Sequence, residues 1–224
     1  MDSGFIGRTL PSMRVYVMGA TGSGKSTLAQ GLSRASGGAL PVLHSSPLVI
    51  EYMRGDKSLK DSPLWPCLLD HDATRIRNRL SNEADLKVEL MRQTEAGEYW
   101  PAVVVQALFH DLMNKQSNGW VLECSRRIRS EYESLFGQLK QYPADAAISL
   151  EGPTELIIDR AMARGKHKDQ ADSVRWAIDE YLGEAEALLL SLSSQGMLIR
   201  INISNSPEEV LRQAVDGLAR VSAG

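Results

Sequence analysis

Short apolar runs alternate with longer stretches of helical periodicity along most of the chain. The first run, residues 13–18, is apolar at most positions and leads directly into a glycine-rich turn. Continuous apolar runs of this length are typical of strands that are buried on both faces, as in a parallel sheet. We therefore predict five strands, at 13–18, 41–44, 120–123, 146–150 and 197–203.

Predicted helices fill the stretches between these strands. Apolar positions recur there every three or four residues, and glycines or prolines stand at several of the ends. Strands that alternate with helices indicate an α/β fold, a parallel sheet with right-handed crossovers. The stretch 56–81 is irregular, and we assign it no strand. The predicted helices cover 26–36, 47–54, 82–96, 101–114, 130–139, 154–164, 173–194 and a last one that opens at Ser206.

Composition excludes several classes of protein. The chain has 224 residues, of which 43% are hydrophobic, enough for a core without disulfides or metals. A net charge of −3 gives no general attraction for nucleic acid or an anionic membrane, and no apolar stretch reaches the ~18 residues of a membrane span. Two cysteines, Cys67 and Cys124, are too few for a disulfide framework or a four-cysteine zinc site. We expect a cytoplasmic protein in which residues 1–12 form a flexible leader and 13–224 a single domain.

The segment GATGSGKS at 19–26 carries the strongest chemical signal in the sequence. It matches the pattern G-x-x-x-x-G-K-[ST] at every fixed position, and it lies directly after a predicted strand and before a predicted helix. Glycines let successive backbone N–H groups face one anion, and the start of the helix adds its positive end. Lysine supplies a charge to the terminal phosphates, and serine supplies a hydroxyl to Mg²⁺. The motif predicts a site for ATP and Mg²⁺ formed by Gly22, Ser23, Gly24, Lys25, Ser26 and Thr27.

The segment NGWVLECSRR at 118–127 resembles the strand end of the adenylate kinase branch of nucleoside monophosphate kinases, which there reads Asp-Gly-Phe-Pro-Arg. The resemblance runs from about residue 13 to 218 and implies a three-layer P-loop sheet of five parallel strands, with a helical acceptor-side insert at about 45–100. Glu123 takes the place of the acid that holds Mg²⁺ through water. Arg127 takes the place of the arginine that binds the transferring phosphates, although Arg126 could share or take that role.

The helix predicted at 154–164 resembles the one that enters the lid in this family. Arg160 stands where the family stacks an arginine on the ATP base, and Arg164 stands where the family has an arginine that contacts phosphates. The two arginines are four residues apart and therefore lie on the same face of the helix. The lid is short, about 165–172, and has no cysteines for zinc. The family's further phosphate arginine, in the following helix, is replaced by Ala177.

The acceptor side departs further from the family. TEAGEYWP at 94–101 resembles the turn that closes the monophosphate site, where backbone groups after Gly97 touch the acceptor base and Trp100 or Tyr99 could stack on it. Glu131 stands where adenylate kinases carry a glutamine that reads adenine, and a glutamate there suits a base that presents donors, such as guanine or cytosine. The family's Thr-Gly-Asp-x-x-x-Arg pattern is not kept, and Arg54 is the nearest arginine. Other candidates for the acceptor phosphate are Arg75, Arg77, Arg79 and Arg92.

These features imply an ATP:nucleoside monophosphate phosphotransferase in which Lys25, Arg127 and Arg164 are catalytic. The expected partners are ATP and a nucleoside monophosphate or another small acceptor, with neither nucleic acid nor a membrane, and the chain is expected to act as a monomer. Two alternatives remain open. One is a nucleotide-binding regulatory module or weak ATPase, and the other is a P-loop kinase that acts on a non-nucleotide small molecule.

Overall fold

The computed structural model describes residues 10, 12–55, 58–62, 64–69, 80–96, 98, 100–114, 118–123, 144–165 and 170–222. Five strands form one parallel sheet in the order β2-β3-β1-β4-β5. They are β1 (Met13–Gly19), β2 (Val42–His44), β3 (Gly119–Glu123), β4 (Ala146–Glu151) and β5 (Leu198–Asn202). Helices flank the sheet in a three-layer α/β arrangement, which confirms the predicted fold class.

The helices agree with the predicted segments to within a few residues. They are α1 (Lys25–Ala35), α2 (Ser45–Arg54), α3 (Trp65–Leu68), α4 (Glu83–Ala96), α5 (Ala102–Asn114), α6 (Thr154–Ala163), α7 (Ala171–Ser194) and α8 (Pro207–Ser222). The short helix α3 was not predicted; it lies in the irregular stretch 56–81. The predicted helix at 130–139 falls outside the described residues. Among the helices that are described, none combines the length and hydropathy of a membrane span.

The chain divides into two compact units. The first comprises Met1–Leu43, Asn118–Cys124 and Pro143–Gly224, and the second His44–Ser117 and Ser125–Tyr142. The first unit contains most of the sheet, and its register is set by apolar strands that are buried on both faces. Val15 of β1 lies opposite Val121 of β3 on one side and Ala146 of β4 on the other.

The carboxyl ends of the strands carry several of the predicted site residues. Gly19, the last residue of β1, is paired with Leu150 near the end of β4, and Val17 is paired with Glu123 at the end of β3. In parallel sheets with helical crossovers, loops at the carboxyl ends of the strands form the binding crevice. Of the predicted leader, only Leu10 and Ser12 are described: Leu10 is buried, and the Ser12 hydroxyl donates to the carbonyl of Asn118.

The second unit is helical, and the carboxylate of Glu83 connects the start of α4 to residues 58 and 59 by hydrogen bonds. Glu83, in the first turn of α4, is 8% exposed and accepts hydrogen bonds from the Leu59 N–H at 2.9 Å and the Ser58 hydroxyl at 3.0 Å. Burial opposes the charged form of Glu83, but these two donors and the nearby Lys87 ammonium leave its pKa below the ordinary value. Burial and the charge of Glu83 raise the pKa of Tyr52, whose ring lies 4.8 Å from the Lys87 Nζ.

Glu83→Gln is expected to lower the free energy of unfolding by about 2 kcal/mol at neutral pH, because two donors lose a charged acceptor. The folded-state pKa of Glu83 is depressed, so its contribution is present above the unfolded-state pKa and is lost as pH falls through the folded-state pKa. Wild type and variant should therefore converge in stability on acidification. Chemical denaturation followed from neutral to acid pH measures this, and a constant difference would contradict it. Glu95→Gln, an exposed position in the last turn of α4, is the control.

Candidate functional site

The glycine-rich segment forms the turn from β1 into α1, as the sequence predicts. Gly24 is the N-cap of α1 and has a left-handed backbone, φ 95°, which glycine adopts without strain. The N-terminus of α1 has no side-chain cap and no acidic residue in its first turn. Such a helix start, with its positive end and no acidic side chain beside it, suits a bound anion such as a phosphate.

The loop lies directly against helix α6. A Cβ added to Gly22 would stand 2.5 Å from the carbonyl oxygen of Ile157 and 3.1 Å from the Cβ of Ala161. Gly22 also has a left-handed φ of 84°. Only glycine satisfies both requirements, the positive φ and the close approach, so this residue fixes the distance between the loop and α6.

Lys25 places a positive charge over the loop. Its ammonium donates to the carbonyl oxygens of Gly19 at 2.8 Å and Ala20 at 2.9 Å. These bonds hold the side chain back along the turn, where an ammonium meets a bound polyphosphate. Ser23 adds a buried hydroxyl, 2% exposed, which has no hydrogen-bond partner within the described residues. A buried hydroxyl ordinarily has a partner, and a phosphate oxygen would be a suitable acceptor.

Two oxygen-bearing side chains meet where the strand ends of β1 and β3 lie side by side. The Ser26 hydroxyl donates to Glu123 Oε1 at 2.7 Å, although the two residues are 97 positions apart in the chain. A hydroxyl and a carboxylate in contact are the hard oxygen ligands that Mg²⁺ prefers, so these residues fit the ion that the sequence predicts. Elsewhere in the described ranges, no group of three or more His, Cys, Asp or Glu side chains suits a metal.

Arg164 reaches the phosphate loop from the end of α6. Its Nη2 donates to Thr21 Oγ1 at 3.5 Å, and its backbone N–H bonds to the carbonyl of Arg160. The predicted i, i+4 relation of the two arginines is therefore present. The contact brings Arg164 to the loop, and Arg160 lies partly buried on α6.

Helix α7, which follows the predicted lid, has an arginine near its start that is paired within the fold. Ala177 is 1% exposed, so its position faces the core of the first unit. Arg175 is half-exposed, and its Nη2 pairs with Glu155 Oε1 of α6 at 3.0 Å. Arg175 thus links α6 to α7 in this structure.

Trp100 and Arg54, which are both predicted to bind the acceptor, are described residues of the second unit. Trp100 is 2% exposed, and its Nε1 donates to Thr94 Oγ1 at 2.9 Å, so its ring is packed within the unit and presents little face for stacking. Arg54 is the exposed last residue of α2. The acceptor roles of both remain predictions.

Several predicted site residues lie outside the described part of the chain. They are Gly97, Tyr99, Arg127, Glu131 and the predicted lid residues 166–169, together with the other acceptor candidates Arg75, Arg77 and Arg79. Their roles stay predictions that rest on the resemblance alone. Sequence reasoning in turn missed Thr21 as a partner of Arg164, and it missed that Arg92 pairs with Glu89 and Glu98. The only sequence signal for the latter was the three-residue spacing of Glu89 and Arg92 on a helix.

Comparison with known proteins gives one consistent answer. No protein-family model matches the chain. It is similar to the adenylate kinase of Mycolicibacterium vanbaalenii, with 24% identity over 212 residues that cover 93% of this chain and 100% of that protein. It is 23% identical to the adenylate kinase of Parasynechococcus marenigrum over 203 residues, 89% of this chain and 95% of that protein. With the adenylate kinase of a Synechococcus species it shares 29% identity over 139 residues, 58% of this chain and 75% of that protein.

Proposed function

Because the chain is a divergent adenylate kinase-like protein, we propose that it transfers the γ-phosphoryl group of ATP to a nucleoside monophosphate and releases ADP and a nucleoside diphosphate. The observation that carries the proposal is the phosphate loop. It combines an uncapped helix N-terminus, the Lys25 ammonium and the Ser26–Glu123 pair at the carboxyl ends of β1 and β3.

Phosphoryl transfer requires little covalent chemistry from a protein, and the proposed residues act by position and charge. The backbone of the loop and the start of α1 bind the β- and γ-phosphates, and Lys25 neutralises their terminal charge. Arg164 approaches the same loop through Thr21, where it would stabilise charge on the moving group. Each contact that strengthens in the transition state supplies about 3 kcal/mol, or roughly a hundredfold in rate.

Ser26 and Glu123 would hold the Mg²⁺ that accompanies ATP. When bound, the ion neutralises charge on the β- and γ-phosphate oxygens. The carboxylate of Glu123 is one methylene longer than the aspartate of the family pattern, and in this structure it reaches the Ser26 hydroxyl directly. No general base is required, because the phosphate of the acceptor is already ionised near neutral pH.

As ligands of the acceptor we propose Arg54, Gly97 and Trp100 of the helical insert, together with Arg127 and Glu131, which follow β3 in the chain. This assignment is carried over from the resemblance. Glu131 favours a base with donors on its pairing edge, so guanine and cytosine monophosphates are the first acceptors to test.

A coupled assay for ADP tests the proposal directly. The purified chain, ATP and Mg²⁺ are combined with AMP, GMP, CMP, UMP or dTMP in turn, and ADP formation is compared with the rate without an acceptor. We expect at least one monophosphate to raise the rate well above that of ATP alone and to appear as its diphosphate. ADP formation that no monophosphate stimulates would contradict a monophosphate kinase.

A nucleotide-binding module with weak ATPase activity is the second candidate. It is favoured by the position of Ala177, which is buried where the family has a phosphate arginine, and by the pairing of Arg175 with Glu155. In that case, calorimetry would register binding of ATP with Mg²⁺, while the acceptor panel would produce no diphosphate.

A further inference from the structure

A three-residue ion-pair cluster lies at the C-terminal end of α4. Arg92 donates Nε and Nη2 to the carboxylate of Glu89, at 2.7–3.1 Å, and Nη1 and Nη2 to the two carboxylate oxygens of Glu98, at 3.0 and 2.7 Å. Arg92, Glu89 and Glu98 are called the Arg92 cluster below. Both carboxylates bind the guanidinium through two oxygens, which is the strongest and most directional geometry for such a pair.

The Arg92 cluster is a poor site for a phosphate. One guanidinium faces two carboxylates, so the cluster as a whole is negative, and the Glu89 residue is only 9% exposed. A phosphate that approached Arg92 would meet like charge and would have to displace paired carboxylates. Although the sequence offers Arg92 as a candidate for the acceptor phosphate, its geometry does not suit that role.

The same cluster fixes the residues that follow α4. Besides its bond to Arg92, Glu98 donates its backbone N–H to the carbonyl of Gln93 at 2.8 Å. Trp100 is held by Thr94, whose hydroxyl accepts from the indole and donates to the carbonyl of Leu90 at 2.7 Å. The side chains of Glu98 and Trp100 therefore hydrogen-bond to two side chains in the last turns of α4, those of Arg92 and Thr94.

We infer that Arg92 is a positioning residue for the acceptor: through Glu98 it holds the backbone that contacts the base of the bound monophosphate. The inference rests on the proposed function, because the acceptor role of the residues after Gly97 comes from the family resemblance. A site that is held in place before the ligand arrives loses less conformational entropy on binding. The cluster thus acts on the affinity for the acceptor and leaves ATP binding unaffected.

Glu98→Gln tests the inference by whether it raises or lowers the KM for the acceptor. The substitution keeps the shape of the side chain and leaves the pair between Arg92 and Glu89 in place, so the helix retains its buried carboxylate partner. We expect the KM for the acceptor to rise about tenfold, with kcat and the KM for ATP unchanged, because misplaced contacts weaken binding. If Arg92 were instead a phosphate ligand held back by Glu98, the same variant would lower the KM for the acceptor, and this would overturn the inference. An unchanged KM would also overturn it.

Helix α8 provides a matched control. There Arg212 donates Nε and Nη2 to Glu209 and Nη1 to Asp216, in the same pattern of one arginine between two carboxylates. Asp216→Asn removes the second carboxylate of that group, as Glu98→Gln does in the Arg92 cluster. We expect this variant to leave both Michaelis constants unchanged.

Hydrogen exchange separates this inference from the proposed function. The peptide that contains residues 93–101 should exchange faster in Glu98→Gln than in wild type, and Asp216→Asn should leave it unchanged. If wild type transfers no phosphoryl group but the exchange increases, the kinase proposal fails, and with it the acceptor role, while the hold of Arg92 on Glu98 stands. If the exchange does not change, the inference fails whatever the activity.

Discussion

Lys25→Ala is expected to reduce phosphoryl transfer by about a thousandfold, since the loss of one preorganised donor to a transition-state oxyanion costs rates of that order. The ammonium of Lys25 lies over the loop, bonded to the carbonyls of Gly19 and Ala20. It supplies charge that the backbone N–H groups of the loop cannot replace. Steady-state kinetics with the best acceptor measures the loss of activity. Calorimetry with ATP and Mg²⁺ measures how much of that loss comes from weaker binding of ATP.

Lys60→Ala is the control for this prediction. Lys60 is an exposed lysine in the second unit, and its removal changes the net charge of the chain by the same amount. We expect its kinetics to equal those of wild type. If Lys25→Ala retains most of its turnover while folding normally, the terminal phosphates do not bind at this loop, and the proposed function is wrong.

Gly22→Ala is expected to weaken the binding of ATP by about a hundredfold and to lower the stability of the first unit. A left-handed backbone costs an alanine about 1–2 kcal/mol. The larger effect is steric, because the new methyl group would lie 2.5 Å from the carbonyl oxygen of Ile157 and force the loop away from α6. Calorimetry measures the affinity, and thermal unfolding measures the stability.

Two further glycines separate the cost of a left-handed backbone from the cost of displacing the loop. Gly24 has a φ of 95° and Gly196 a φ of 70°, and a Cβ on either would meet, among the described residues other than its chain neighbours, no atom within 4 Å. Gly196→Ala should therefore show only the conformational cost, with nucleotide affinity unchanged. Gly24→Ala adds the same cost within the loop and should be milder than Gly22→Ala. An equal loss in Gly22→Ala and Gly24→Ala would show that contact with α6 is not what matters.

The parts of the fold that were predictable depend on local pattern. The strand, the turn and the helix from 13 to 36 follow from an apolar run, a glycine motif and helical spacing that are contiguous in the chain. The pairing of Ser26 with Glu123 was predictable only as a shared metal site, because a resemblance supplied the role of the acid. The direct hydrogen bond between them depends on the register of β1 against β3, which no local pattern encodes.

Side-chain partners account for most of what could not be predicted. The sequence offers Arg92 as an available cation, but the course of the chain after α4 brings the carboxylate of Glu98 back to its guanidinium. Trp100 reads equally well as a stacking surface or a core residue, and only the packing decides that it is 2% exposed. The contact between Thr21 and Arg164 joins residues 143 positions apart and depends on the position of α6 on the sheet.

The tight contact at Gly22 also has a mechanical consequence. A Cβ at Gly22 would stand 2.5 Å from the carbonyl oxygen of Ile157, so the loop has no room to move toward α6 unless that helix moves with it. A larger side chain at Ala161 would crowd the same space from the side of the helix, so a substitution on α6 is expected to alter the loop from outside it.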